Sequence, residues 1–154
     1  MMVSLSTEAT RTEPKKKASF VNLAVVENKQ GEVLCIRRVV KETGKDGSTL
    51  EWAFPGGRQE EGETREACVA REVLVETGYT VKPLRQLNIR MHPQLPACIV
   101  YHLCALNESA PVAKPKEPHE VAEVRWVRPE ILQTLITTKM DPVVAKTLRI
   151  EPTA

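Results

Sequence analysis

The chain has 154 residues, 42% of them hydrophobic, with a net charge of +2, so one domain around one core is the expectation. That charge calls for neither a polyanion partner nor an acidic shell, and 4% aromatic residues are too few to build a stacking platform for single-stranded nucleic acid. No apolar run approaches the ~18 residues of a membrane-spanning helix.

In chain order, residues 1–18 are polar, with Glu8, Glu13 and the run Lys15-Lys16-Lys17. They lack the apolar stretch of a signal peptide and read as a flexible tail before a single domain over 19–154. Phe20 to Val26 is β-rich. Asn28-Lys29-Gln30-Gly31 reads as a turn and Val33 to Val40 as the returning strand of a hairpin. Lys41 to Ser48 is charged, holds two glycines and reads as a loop. Glu51 to Phe54 is a short strand ending at a tight Pro55-Gly56-Gly57 turn. A helix follows, with Thr64 as N-cap and Gly78 as terminator. Val81 to Met91 and Cys98 to Leu106 read as strands, Asn107 to Pro118 as a second long loop, and Val121 to Val127 as an alternating strand. Pro129 opens a helix to about Thr137, and Asp141-Pro142 a last one to about Arg149. This order implies a mixed sheet between helices in one α/β or α+β layer domain. Cys35, Cys68, Cys98 and Cys104 have no CxxC spacing, and with only His92, His102 and His119 besides, no zinc pattern arises. They read as buried free thiols of a reducing, cytoplasmic setting.

The chemistry concentrates between Phe54 and Tyr79. On a helical wheel at about 100° per residue, Ala67, Ala70, Val73 and Leu74 form a core face, with Glu72 and Glu76 together on the opposite side. Two carboxylates four residues apart repel unless a positive charge sits between them. Magnesium prefers hard oxygen ligands and retains water. Two carboxylates and a backbone carbonyl from the glycine turn would be a sufficient protein share. Glycine there also lets the backbone approach metal and phosphate closely.

Gly57, five residues, Glu63, seven residues, then Arg71-Glu72-Val73-x-Val75-Glu76-x-Gly78-Tyr79 resembles the Nudix box of Nudix hydrolases. Eight of its nine defined positions match with the spacing intact. The lead-in Trp52 to Gly56 and the strand Val121 to Val127 extend the likeness over about residues 20 to 138. The resemblance implies an α/β/α sandwich with a mixed sheet and a box helix. It also implies hydrolysis of a diphosphate bond in a nucleoside diphosphate linked to another moiety, with Mg²⁺ or Mn²⁺. Carried over, Glu72, Glu76 and the Gly56 carbonyl would hold the metal. Arg71 would be structural, pairing with Glu63, and Gly78 would end the helix.

Val75 departs from the pattern: the family usually has glutamate there, often on a further metal ion, and valine coordinates nothing. Glu120, in the loop before the late strand, is the candidate to compensate, with Glu117 and Glu123 as alternatives. A glutamate near the metal would accept the proton of the attacking water, and Glu72, Glu76 and Glu120 are the catalytic candidates. Gly57, Arg58 and Trp52 are candidates for substrate contact, and Phe20, Asn22 and Tyr101 are further conceivable walls of a base slot.

Downstream markers of substrate are sparse. The proline that marks ADP-ribose relatives would fall at Gln94 or Leu95, bracketed here by Pro93 and Pro96. Tyr101 lies too far on to mark a dinucleoside polyphosphate enzyme. By elimination the chain looks most like hydrolases of nucleoside triphosphates, oxidised or not, releasing monophosphate and pyrophosphate. An ADP-ribose-like nucleotide sugar is the alternative substrate. The partner expected is a small nucleotide, with neither nucleic acid polymer nor membrane. A second class stays open: a degenerate Nudix fold that binds a nucleotide or a protein without turnover.

Overall fold

The computed structural model describes residues 19–43, 49–92, 96–136 and 139–151. The expected tail, most of the loop through Ser48, and the marker positions Gln94 and Leu95 lie outside them. Strands β1 (Ser19–Val26), β4 (Gly56–Arg58), β5 (Val81–Met91) and β6 (Ala97–Leu106) form a mixed sheet of order β4-β1-β6-β5, in which β1 and β6 run parallel. Strands β2 (Val33–Thr43), β3 (Thr49–Ala53) and β7 (Val121–Val127) form an antiparallel sheet of order β3-β2-β7. The helices are α1 (Arg65–Thr77), α2 (Pro129–Leu135) and α3 (Pro142–Thr147).

Consecutive residues Ala24 to Val26, Val33 to Ile36 and Ile99 to Tyr101 are all buried, so these central segments are covered on both faces, which explains the near-continuous apolar runs of β1, β2 and β6. Successive residues of one strand enter different cores. Val25, Val33, Cys35, Ile99, Tyr101 and Val127 pack with Leu132 of α2 and Val144 of α3. Ala24, Val26, Leu34 and Cys104 pack with Val69 and Val73 of α1. The result is the α/β/α sandwich expected.

Several expectations are corrected. β1 and β2 are not a paired hairpin. The Asn28 turn forms, with the Asn28 side chain accepting from the Gln30 and Glu32 amides, but among the described residues a single Glu27–Val33 bridge pairs the strands across it. Both edges of β1 are taken, by β4 and by β6, so β2 passes into the other sheet. β2 also continues through Thr43. The Gly56-Gly57 turn is instead an edge strand, paired antiparallel with Val21 to Leu23. α2 and α3 end at Leu135 and Thr147, a turn or less earlier than expected.

The box helix begins and ends where the sequence places it. The Thr64 side chain accepts from the Ala67 amide, and Gly78, at φ 82°, donates its N–H to the Leu74 carbonyl. Its buried face, however, is Cys68, Val69, Val73, Glu76 and Thr77, while Ala67 is exposed. The wheel reading set both glutamates opposite a core face of Ala67, Ala70, Val73 and Leu74, and so rotated that face toward the alanines. The fold turns the glutamates inward, toward β4.

Candidate functional site

Strand β4 passes beside α1, and the two glycines face the two glutamates. The Gly56 N–H donates to Glu76 Oε1 at 2.8 Å. A Cβ on Gly57 would collide with the Glu72 carboxylate, and one on Gly56 with the Asn22 backbone. Gly56 needs glycine because β1 backbone occupies the space a Cβ would take, whereas a side chain at 57 would force the Glu72 carboxylate aside. The Gly56 carbonyl was the expected metal ligand; the contact seen to the acidic pair is made by its amide.

Glu76 is only 8% exposed. Burial pushes its carboxyl up to about 8, against the Gly56 N–H, with the Glu72 charge adding to the rise. Glu72 is also raised, chiefly by burial, although Arg71 opposes the shift. Glu120 and Glu63 add to that rise. Two largely desolvated carboxylates at helical spacing thus sit where ionisation is costly. They could hold a hard divalent cation, which would relieve that cost. Among the described residues, no three His, Cys, Asp or Glu side chains already converge as a metal cluster.

The other end of the box is fully paired. Arg71 donates to Glu63 through Nε at 2.6 Å and Nη2 at 3.0 Å, to Glu72 Oε1 at 3.0 Å, and to the Arg58 carbonyl at 3.3 Å. The Glu60 amide also donates to Glu63. The Arg71 guanidinium, foremost, and that amide hold the Glu63 carboxyl down at about 2. The expected Arg71–Glu63 pair is therefore present.

The loop after β6 docks on the C-terminal end of α1. The Lys116 N–H donates to the Val75 carbonyl and the Val112 N–H to the Gly78 carbonyl, both at 2.8 Å. These bonds satisfy carbonyls that a helix end leaves open. The same loop carries Glu117 and Glu120. A hydrogen bond with Glu120 raises the Glu117 carboxyl, and the Glu72 charge adds to it. Glu120 stands 60% exposed on the turn into β7, its carbonyl accepting from Val39. Glu117 is the less exposed of the two, although the family resemblance put Glu120 first and left Glu117 as an alternative. Glu123 is engaged elsewhere, by Arg37 and Arg125 on the sheet.

The remaining candidates are dispersed. The Arg58 side chain is exposed and its carbonyl is taken by Arg71. Trp52 is half-buried on β3, with the Arg125 guanidinium 4.8 Å above its ring. Arg65 lies 4.5 Å over the Phe20 ring. Two conceivable walls of a base slot are corrected. Asn22 has no exposed surface, and Tyr101 is buried beneath Arg90, which donates to its hydroxyl at 3.0 Å.

A NUDIX domain family model matches residues 19–147. The chain is 36% identical over 75 residues to the 8-oxo-dGDP phosphatase NUDT18 of Mus musculus, covering 49% of this chain and 22% of that protein. It is 33% identical over 84 residues to the mRNA-decapping enzyme subunit 2 of Arabidopsis thaliana, covering 53% and 22%. The chain thus spans about a fifth of the length of the curated relatives it matches. Among solved structures, a NUDIX hydrolase from Nitrosomonas europaea superposes with TM-score 0.65 at 19% identity, over 87% of this chain and 88% of that one. A MutT protein from Methanosarcina mazei superposes with TM-score 0.58 at 24% identity, over 87% and 92%.

Proposed function

The chain belongs to the Nudix hydrolase family, and on that premise we propose that it hydrolyses a diphosphate bond in a nucleoside diphosphate linked to another moiety, with Mg²⁺ or Mn²⁺ as cofactor. A nucleoside triphosphate, oxidised or ordinary, is the leading substrate class, with monophosphate and pyrophosphate as products. The observation that carries this reading is the convergence of Glu72 and Glu76 on the Gly56-Gly57 strand, with both carboxyls raised by burial.

Glu72 and Glu76 would hold the cation, with the Gly56 carbonyl as a backbone ligand. When bound, the cation would neutralise phosphate charge and acidify water. Arg71, locked on Glu63, holds one Glu72 oxygen and so orients the other toward the glycines. Glu120 and Glu117 approach from the loop before β7 and are the candidates to accept the proton of the attacking water. Gly57 offers close backbone approach to a phosphate, Arg58 an exposed cation beside it, and Trp52 a flat apolar surface. Free thiols at Cys35, Cys68, Cys98 and Cys104 accord with a cytoplasmic setting.

The relatives named for 8-oxo-dGDP and for mRNA decapping widen the panel to be assayed. Purified protein with Mg²⁺ or Mn²⁺ is offered 8-oxo-dGTP, 8-oxo-dGDP, the ordinary dNTPs, ADP-ribose, NADH, Ap4A and a short capped RNA. Turnover of a triphosphate above the others is the expected result. Nucleotide binding without hydrolysis of any of them would replace the enzyme with a non-catalytic binding module.

A further inference from the structure

A line of buried polar side chains runs beneath the box loop. His102 on β6 is 1% exposed and Asn22 on β1 is 0% exposed. His102 Nε2 lies 2.8 Å from Asn22 Oδ1. Asn22 Nδ2 donates to Gln59 Oε1 at 3.2 Å, and Gln59 Nε2 donates to the Glu63 carbonyl at 2.7 Å. An amide oxygen only accepts, so His102 Nε2 carries the proton, and every bond in the line points the same way. Burial, foremost, lowers the imidazole's pKa and so favours the neutral ring.

Nothing in the packing calls for these groups. Asn22 and His102 share a sheet face with Ala24 and Cys104, against α1, where an apolar pair would serve the core equally well. Burying a polar pair gains little net stability even when each bond is made. What the line reaches is the loop. Its last bond ends on the Glu63 backbone, the Glu63 carboxylate grips Arg71, and Arg71 grips Glu72. A second tie lies alongside, where the Cys68 thiol donates to the Gly57 carbonyl at 3.5 Å.

We propose that His102, Asn22 and Gln59 are positioning residues that set the Gln59–Glu63 loop and, through Glu63 and Arg71, the placement of Glu72; their bearing on turnover rests on the hydrolase reading above. The relay adds a side-chain tie from the parallel β1–β6 pair to a loop whose backbone is joined to β1 by the Gln59 N–H donating to the Phe20 carbonyl at 2.9 Å.

His102→Leu removes the first donor, and His102→Gln restores an amide N–H at the Nε2 end. Amide exchange is followed at Glu60 and Glu63, whose N–H groups bond within the loop, and at Val25 and Val100 in the central strands. Mn²⁺ alone is titrated as the metal probe, and kcat and KM are measured with 8-oxo-dGTP. In His102→Leu, exchange at Glu60 and Glu63 quickens about 10-fold or more while Val25 and Val100 are unchanged. The same variant weakens Mn²⁺ binding and lowers kcat by about 10-fold, with the nucleotide KM within about twofold, and His102→Gln recovers most of each loss. Gln59→Leu, at the half-exposed end of the relay, gives the same signature without disturbing the core. Unchanged exchange at Glu60 and Glu63, equal acceleration throughout β1 and β6, or a glutamine variant no better than leucine would each overturn the relay. Absence of turnover by the unaltered protein would count against the hydrolase reading alone, because the exchange and Mn²⁺ results decide the relay without it.

Discussion

Two glutamates of one loop–helix unit are held at opposite extremes. Glu63 accepts from the Arg71 guanidinium and the Glu60 amide, and its carboxyl sits at about 2. Glu76, near the far end of the helix, is buried against the Gly56 amide and pushed up to about 8. The first is a satisfied charge whose role is to hold the loop on the helix. The second is a carboxyl whose burial outweighs the Gly56 N–H and the Arg38 charge, and Glu72, even with Arg71 bound, is raised the same way. A carboxylate that is costly to ionise where it stands is one that an added cation stabilises. The difference separates the structural acid of the motif from its candidate ligands, although the sequence writes all of them as glutamate.

The largest expected break in this comparison is Glu76→Gln. The amide oxygen can still accept from Gly56, so the fold is retained, while turnover falls by about 100-fold or more because a charged ligand is lost. Turnover within about twofold of the unaltered protein would remove Glu76 from the metal assignment. Next comes Gly57→Ala, whose Cβ must displace the Glu72 carboxylate; a loss of about 10- to 100-fold in activity and in Mn²⁺ affinity is expected. Should a crystal structure of that variant show Glu72 unmoved, the close approach carries no function.

The pH dependence of stability sharpens the contrast further, with opposite signs. Glu76 has a raised folded pKa, so metal-free protein loses stability as pH climbs from its ordinary value of 4.5 through about 8. Glu63 has a depressed folded pKa, so its contribution is present above 4.5 and is lost as pH falls toward about 2. Thermal melts without metal should show a Glu76→Gln curve flatter than the unaltered protein between pH 5 and 8, about the window those two values bracket. Glu63→Gln should melt a few degrees lower at pH 7 and converge with the unaltered protein in acid. Parallel curves for the two variants would erase the distinction. The smallest effect is reserved for Val75→Glu. Val75 is half-buried and its carbonyl is already engaged by Lys116, so activity equal to or up to about threefold above the starting level is expected in a Mg²⁺ titration. A large loss would show that the docked loop needs an apolar residue there.

Local chemistry made much of this legible in advance. Thr64 and Gly78 bound the box helix because each satisfies backbone groups within one turn of itself. The alternating and apolar runs mark β1, β2, β5, β6 and β7 for the same local reason. The Arg71–Glu63 pair was implied by the family resemblance and is present. The relay from His102 through Asn22 and Gln59 was not readable, because its members lie 80 and 37 residues apart and carry no period. Nor was the inward turn of Glu76, since a wheel built on ordinary burial preferences assigns a glutamate to water.

By itself, then, the sequence determined the elements, the glycines beside the acids, and the family pattern, all of which rest on short-range backbone and spacing rules. Only the tertiary structure decided which strands pair, that Gly56 and Gly57 form an edge strand rather than a turn, and which glutamates are buried beyond what their partners offset. Those outcomes depend on what lies across the sheet from each residue. Pairing partners and desolvation are properties of the packed chain, not of any segment of it.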